Sequence, residues 1–319
     1  MPPHTASFAL EPAPPFRLDL TVWTLRRRLD NLFDRWDGKT YLRVLIEDDK
    51  PFEIAVMQLG ESKSPQLRVA LTGKTLTSKT KAFVTVALER LLGIKIDLQK
   101  FYRLSKKDQW LEPFVSQFQG MKPPRLLTPF EALVNAIACQ QLTLTMGIRL
   151  LNRLTEAYGM ALKTEAGIVH AFPRPQDLAN ADIEDLRKMS FSYQKARYLT
   201  TISRFIVDGE LNLDTIAQLD DKEAVARLCE LKGVGRWTAE YVLLRGLGRT
   251  HIFPAEDVGA RNNLQRWLDL SGTMTYDNTR EALSHWDGYG GLVYFHLLLK
   301  SLTEKGWIGG GYVEDQARV

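Results

Sequence analysis

The stretch Leu231-Lys-Gly-Val-Gly-Arg-Trp-Thr-Ala-Glu-Tyr241 lies between two helical patterns. The first, over residues 221–230, places Ala224, Val225 and Leu228 on one face, and the second, over 237–247, carries Val242, Leu243 and Leu244. Gly233 and Gly235 flank one small residue, Val234. That pattern permits a tight turn with φ > 0 and close approach of another backbone. The amides of Val234, Gly235 and Arg236 are then expected to face outward at the positive end of the second helix, a geometry that suits a phosphate. Lys232 adds a cation beside them. A plain helix–helix turn with no ligand fits a bare Gly-x-Gly equally well. The turn gains meaning from the acidic pair Glu256 and Asp257, which stands about twenty residues downstream, behind the apolar Ile252-Phe253-Pro254.

Asp257 precedes a helical pattern from Ala260, so it reads as an N-cap. A lone carboxylate is also what one reaction class needs. Cleavage of an N-glycosidic bond passes through an oxocarbenium-like sugar, and a nearby anion stabilises it and orients or deprotonates the attacking water. A phosphate-holding hairpin and such a carboxylate make joint sense on DNA.

The chain has 319 residues, enough for two or three domains. Its 45% apolar and 25% charged residues are those of an ordinary globular protein. A net charge of +4 permits nucleic-acid binding without requiring it. Cys139 and Cys229, the only cysteines, support neither a disulfide framework nor a four-cysteine metal cluster. The five histidines are scattered, so no structural metal and no cofactor is expected. With no membrane-length apolar run and no charged segment leading an apolar one, the chain reads as cytoplasmic.

Residues 1–15, with five prolines, read as a disordered lead-in, and the Gly309-Gly-Gly311 region as a flexible tail over 309–319. Three short strand-like runs, at 41–46, 52–59 and 66–71, are broken by turn signals and argue for an antiparallel meander. Helices are expected at 23–33 and 77–92, the latter ended by Gly93. This makes residues 16–115 a small α+β domain. Helices dominate 116–308, and Thr128-Pro-Phe-Glu131 opens one with a cap, a proline in the first turn and an early acid. Phe130, Leu133, Val134 and Ile137 supply its buried stripe. The fold class is therefore α+β, with a small antiparallel sheet ahead of a mainly helical region containing the 221–247 hairpin.

Taken together, these motifs resemble those of the helix–hairpin–helix DNA glycosylase superfamily, and within it the AlkA-like 3-methyladenine DNA glycosylases. The likeness rests on Leu231 through Gly246 with Phe253-Pro-Ala-Glu-Asp257, on Phe130-Glu-Ala-Leu-Val-Asn-Ala-Ile-Ala-Cys-Gln-Gln-Leu-Thr143, on Ser190 to Tyr198, and on His296 with Glu304-Lys-Gly-Trp307. It implies a cleft between helical lobes, with Asp257 on the family's essential aspartate. Trp237 falls where bifunctional relatives place a Schiff-base lysine, which implies a monofunctional enzyme that leaves an abasic site.

The resemblance further implies a pocket of Trp237, Tyr241 and Tyr289 for a flipped base. Trp237 and Tyr241, spaced i, i+4, share a helix face and can stack on a cationic alkylated purine. Lys232, Gly233, Val234, Gly235 and Arg236 would grip a phosphate, and the resemblance allows a monovalent cation at the hairpin carbonyls. Gln140 and Gln141 sit where the family inserts a wedge into the gap left by the flipped base. The implied partner is double-stranded DNA containing alkylated bases, met by a monomer at the bacterial nucleoid. Three other readings stay open: a non-enzymatic DNA-binding module, an oxidised- or deaminated-base glycosylase, and a helical scaffold without nucleic acid.

Overall fold

The computed structural model describes residues 4–74 and 76–308. The expected tail over 309–319 lies outside the described residues. A five-stranded antiparallel sheet contains β1 (His4–Leu10), β2 (Arg35–Trp36), β3 (Thr40–Glu47), β4 (Lys50–Gln58) and β5 (Leu67–Gly73), in the order β1-β5-β4-β3-β2. Strands β3 to β5 form the expected meander, which the two-residue β2 extends beyond β3. Its register pairs Tyr41 with Val56 and Val56 with Val69, so the alternating apolar residues share one face. That face is buried with Val84, Leu88 and Leu91 of α2 (Ser78–Leu92). Thr77 caps α2 and Gly93, at φ 58°, ends it in the left-handed conformation.

Two expectations in this region need correction. The proline-rich lead-in contains β1, whose residues pair along the open edge of β5 from His4↔Gly73 to Leu10↔Leu67. The prolines flank a seven-residue run that contains none, so nothing removes a ladder donor from it. The helix expected at 23–33 is instead α1 (Leu18–Arg26). Arg27 turns left-handed at φ 62° and its N–H closes on the Trp23 carbonyl, ending the helix. The loop beyond is organised by Asn31, whose side-chain oxygen accepts from the amides of Phe33 and Asp34.

The chain then becomes mainly helical: α3 (Gln99–Ser105), α4 (Leu111–Gln117), α5 (Pro129–Cys139) and α6 (Leu144–Tyr158). A short, unexpected hairpin of β6 (Ala161–Thr164) and β7 (Gly167–His170) precedes α7 (Pro175–Leu178), α8 (Ile183–Lys188), α9 (Tyr193–Val207) and α10 (Leu213–Ala217). The motif hairpin is α11 (Asp221–Cys229) and α12 (Arg236–Tyr241), the latter continued by a π-helical turn over Val242–Gly246. α13 (Val258–Trp267), α14 (Tyr276–Leu283) and α15 (Gly290–Glu304) complete the array.

α5 is the hub. The Thr128 hydroxyl accepts from the Glu131 amide at its start, and every residue from Phe130 to Ala138 is buried. Gly246 lets the π-turn approach it, since a Cβ there would lie 2.9 Å from the Ala132 Cβ. Glu131 joins a fully buried ion triad. Arg43 of β3 donates to Asp34 at 2.7 Å and to Glu131 at 2.6 Å, tying the sheet to α5. Breaking such a triad by removing one member typically costs about 3–5 kcal/mol, because the remaining charge is stranded. The helix whose C-terminus reaches the cleft is thus held in place by the sheet.

Candidate active site

Between the end of α5 on one side and α13 with α15 on the other lies a cleft of about 1210 Å³. Arg27, Cys139, Gln141, Trp237, Asp257 and Tyr294 are among the residues lining it. Asp257 is half-buried at the N-cap of α13, where its Oδ1 accepts from the Ala260 amide at 2.9 Å. Its Oδ2 faces two donors, Trp237 Nε1 at 3.3 Å and the Tyr294 hydroxyl at 3.5 Å. Burial, and next the Asp257 charge, push the Tyr294 hydroxyl well above the ordinary tyrosine range, so it stays protonated as a donor. The carboxylate is therefore oriented through both oxygens. Glu256, next to it, is exposed.

Trp237 and Tyr241 share a face of α12 as the i, i+4 spacing requires, with ring centroids 5.7 Å apart. Their surroundings differ. Trp237 is half-buried beside Asp257, whereas Tyr241 is buried and its hydroxyl donates to Asn135 Oδ1 at 3.3 Å. The Arg245 guanidinium lies 5.8 Å from the Tyr241 ring centre and 5.3 Å from that of Phe295. A cation already addresses the Tyr241 π system.

Tyr289 does not join this cleft, a correction to the expected pocket. It sits just before α15 with its ring 5.3 Å from that of Phe101, and it is not among the residues that line the cleft. Gly290 and Gly291 explain the displacement. A Cβ at Gly291 would meet Leu244 Cδ1 at 2.5 Å and the Thr250 carbonyl at 2.7 Å, so the start of α15 is pressed against the 250–253 segment. Tyr294, five positions later, is the aromatic residue α15 supplies. Nothing in the local spacing pointed to it.

The hairpin also departs from expectation in detail. Gly233 takes the left-handed conformation, φ 90°, while Gly235 is extended at φ −97°, ψ −179° and caps α12. The Val234 amide does not face outward, because it closes the turn onto the Leu231 carbonyl at 3.0 Å. The amides of Gly235 and Arg236 remain at the helix start. Of the hairpin carbonyls, that of Gly233 accepts from Gln140 Nε2 at 2.8 Å. Gln140 donates as well to Thr238 Oγ1 at 2.9 Å, so its amide clamps the hairpin to α5 and is not available as a wedge. Gln141 is exposed at the cleft with φ 55°, beside an exposed Leu142. Lys232 and Arg236 are both exposed, the latter stacked on Tyr276 at 4.8 Å. Among the described residues no cluster of His, Cys, Asp and Glu could hold a metal, and no helix is long and apolar enough to cross a membrane.

The fold and site thus define a helical protein with a sheet appendage, a glycine hairpin and a cleft whose aspartate is held by two aromatic donors. Residues 134–287 match the family model of the HhH-GPD superfamily base excision DNA repair proteins. The chain is 31% identical over 163 residues to DNA-3-methyladenine glycosylase 1 of Schizosaccharomyces pombe, covering 50% of this chain and 68% of that protein. It belongs to the HhH-GPD superfamily. DNA-3-methyladenine glycosylase of Bacillus subtilis is 28% identical over 201 residues, 63% of this chain and 66% of the relative. The chain spans between about half and two thirds of the length of the two Bacillus subtilis relatives it matches. The solved 3-methyladenine DNA glycosylase of Archaeoglobus fulgidus shares the fold, with a TM-score of 0.81 at 22% identity, over 93% of this chain and 98% of that one.

Proposed function

We propose that the protein is a monofunctional DNA glycosylase of base excision repair that flips alkylated purines from double-stranded DNA and hydrolyses their N-glycosidic bond, leaving an abasic site. The observation that carries this reading is Asp257 at the cleft, with Oδ2 turned to Trp237 and Tyr294 and Oδ1 committed to the helix cap. An anion so fixed needs no reorganisation as positive charge develops on the sugar. The relatives' names point to the same substrate class. Trp237 occupies the position where a lyase needs an amine, so the sugar is released by water. Trp237, half-buried in the cleft lining, would supply a π face for the base, and Gln141, exposed at the cleft, would enter the gap in the duplex. The start of α12 at Gly235 and Arg236 would receive one backbone phosphate. The enzyme would act as a monomer.

Asp257→Asn tests this directly. Asparagine keeps an oxygen for the Ala260 amide, so the cap survives while the anion is lost. Release of methylated purines should fall at least about 100-fold with duplex binding retained. Near-wild-type turnover would refute the assignment, and binding without any abasic product in the wild type would favour a DNA-binding module.

A further inference from the structure

Arg27 has no place in the mechanism above, yet it lines the same cleft. Its residue is 5% exposed, and among the described residues its guanidinium makes no ion pair. One terminal nitrogen donates to Asn135 Oδ1, the oxygen that Tyr241 also addresses, while Nε is buried with no partner. Asn135 Nδ2 is a second buried donor without an acceptor. Buried donors left unpaired are costly, and of these side chains Arg27 is the one that also lines the cleft, where a ligand's acceptor can reach its guanidinium. Behind them Arg245, fully buried, donates from Nη2 to the Thr24 carbonyl at 2.9 Å and leaves Nε and Nη1 unpaired. The nearby carboxylate Asp34 is engaged by Arg43 and by the Tyr41 hydroxyl, each at 2.7 Å. Arg27 thus brings a cation to the cleft, backed by buried donors that find few acceptors.

We infer that Arg27 is a specificity-determining residue that donates to the six-position carbonyl of the flipped base, so that the site favours 6-oxopurines over 6-aminopurines. The assignment rests on the glycosylase reading. When the glycosidic nitrogen of a purine stands at Asp257, the edge farthest from it is the six-membered ring's. Hypoxanthine and 7-methylguanine present a carbonyl acceptor there. Adenine derivatives present an amino donor, which would face guanidinium N–H groups and leave both sides unpaired. A site built to pair a polar group discriminates against the analogue that lacks it far more strongly than an apolar pocket does. The bond formed is a hydrogen bond alone. Arg27 takes no part in breaking the glycosidic link.

The test is single-turnover base release from four duplexes, carrying hypoxanthine, 7-methylguanine, 3-methyladenine or 7-methyladenine, by the wild type and by Arg27→Met. Methionine keeps an unbranched side chain and removes the donors. Each substrate is scored by its own ratio of wild-type to variant rate, which cancels differences in leaving-group lability. The ratio should be about 10-fold or more for the two oxopurines and within about 3-fold for the two adenine derivatives. Equal ratios on all four would overturn the assignment. Should Arg27→Met not fold, wild-type binding to duplexes with uncleavable 2′-fluorinated hypoxanthine or adenine nucleotides decides. Binding about 5-fold or more tighter to hypoxanthine is expected, and equal binding would overturn the assignment. Absence of release from every duplex by the wild type would instead remove the glycosylase reading itself, and the Arg27 role with it.

Discussion

Replacing Gly233 by alanine separates a glycine the fold requires from one it does not. At Gly233 φ is 90°, and an added Cβ would stand 2.1 Å from Tyr198 Cδ2, with two further ring atoms at 2.4 and 2.5 Å. Left-handed backbone costs a residue with a Cβ roughly 1–2 kcal/mol. Forcing the Tyr198 ring aside adds about 1–3 kcal/mol. The stiffer unfolded chain returns about 0.4–1 kcal/mol, leaving a net loss of about 1–4.5 kcal/mol. Gly235 differs in both respects, because its backbone is extended and no atom lies within 4 Å of its virtual Cβ. Gly235→Ala should stay within about 0.5 kcal/mol of wild type. Urea unfolding followed by circular dichroism measures both. The open space at Gly235 is where a backbone phosphate would sit, so Gly235→Val should fold normally yet weaken binding to every duplex alike. Its salt dependence should drop by about one phosphate's worth. Equal destabilisation by the two alanines, or a larger loss at Gly235, would refute this division of labour.

The site and its support yield two more expected outcomes. Trp237→Leu keeps bulk and removes the π face, so it should cost about 0.5–2 kcal/mol more on cationic methylpurines than on hypoxanthine in single-turnover excision, and equal loss would mean the ring acts through shape alone. His296 is buried against Phe101, Phe114 and Phe118, and burial pushes its imidazole down to about 4 from 6.5. The unfolded chain therefore binds a proton below pH 6.5 that the folded protein refuses, and stability falls from there toward pH 4. Between about pH 7 and 4.5 this group should account for about 2–3 kcal/mol. The same pH slope of unfolding free energy in wild type and His296→Leu would refute that.

What the sequence disclosed about this molecule depended on the range of the interaction involved. Thr128 and Gly93 act within one helical turn, and their positions were legible from a few neighbouring residues. Period-two alternation likewise places Arg43 on the same strand face as Tyr41 and Leu45, although its partners Asp34 and Glu131 are remote in sequence. Tyr289 was misplaced because the rotation of α15 is set by Gly291 against Leu244 and Thr250, contacts that no local pattern encodes. Arg27 was hidden for a similar reason. Of the three consecutive arginines, Arg26 and Arg27 are buried while Arg28 donates to Asp30 at 2.6 Å, a difference that side-chain type alone does not encode. Asp257 is the instructive case. Sequence offered a choice between helix cap and chemical anion, as though one excluded the other. The geometry assigns the cap to Oδ1 and leaves Oδ2 to Trp237 and Tyr294, so the helix that Asp257 starts is also what aims its other oxygen. A substitution there that keeps the cap and removes the charge addresses the chemistry alone.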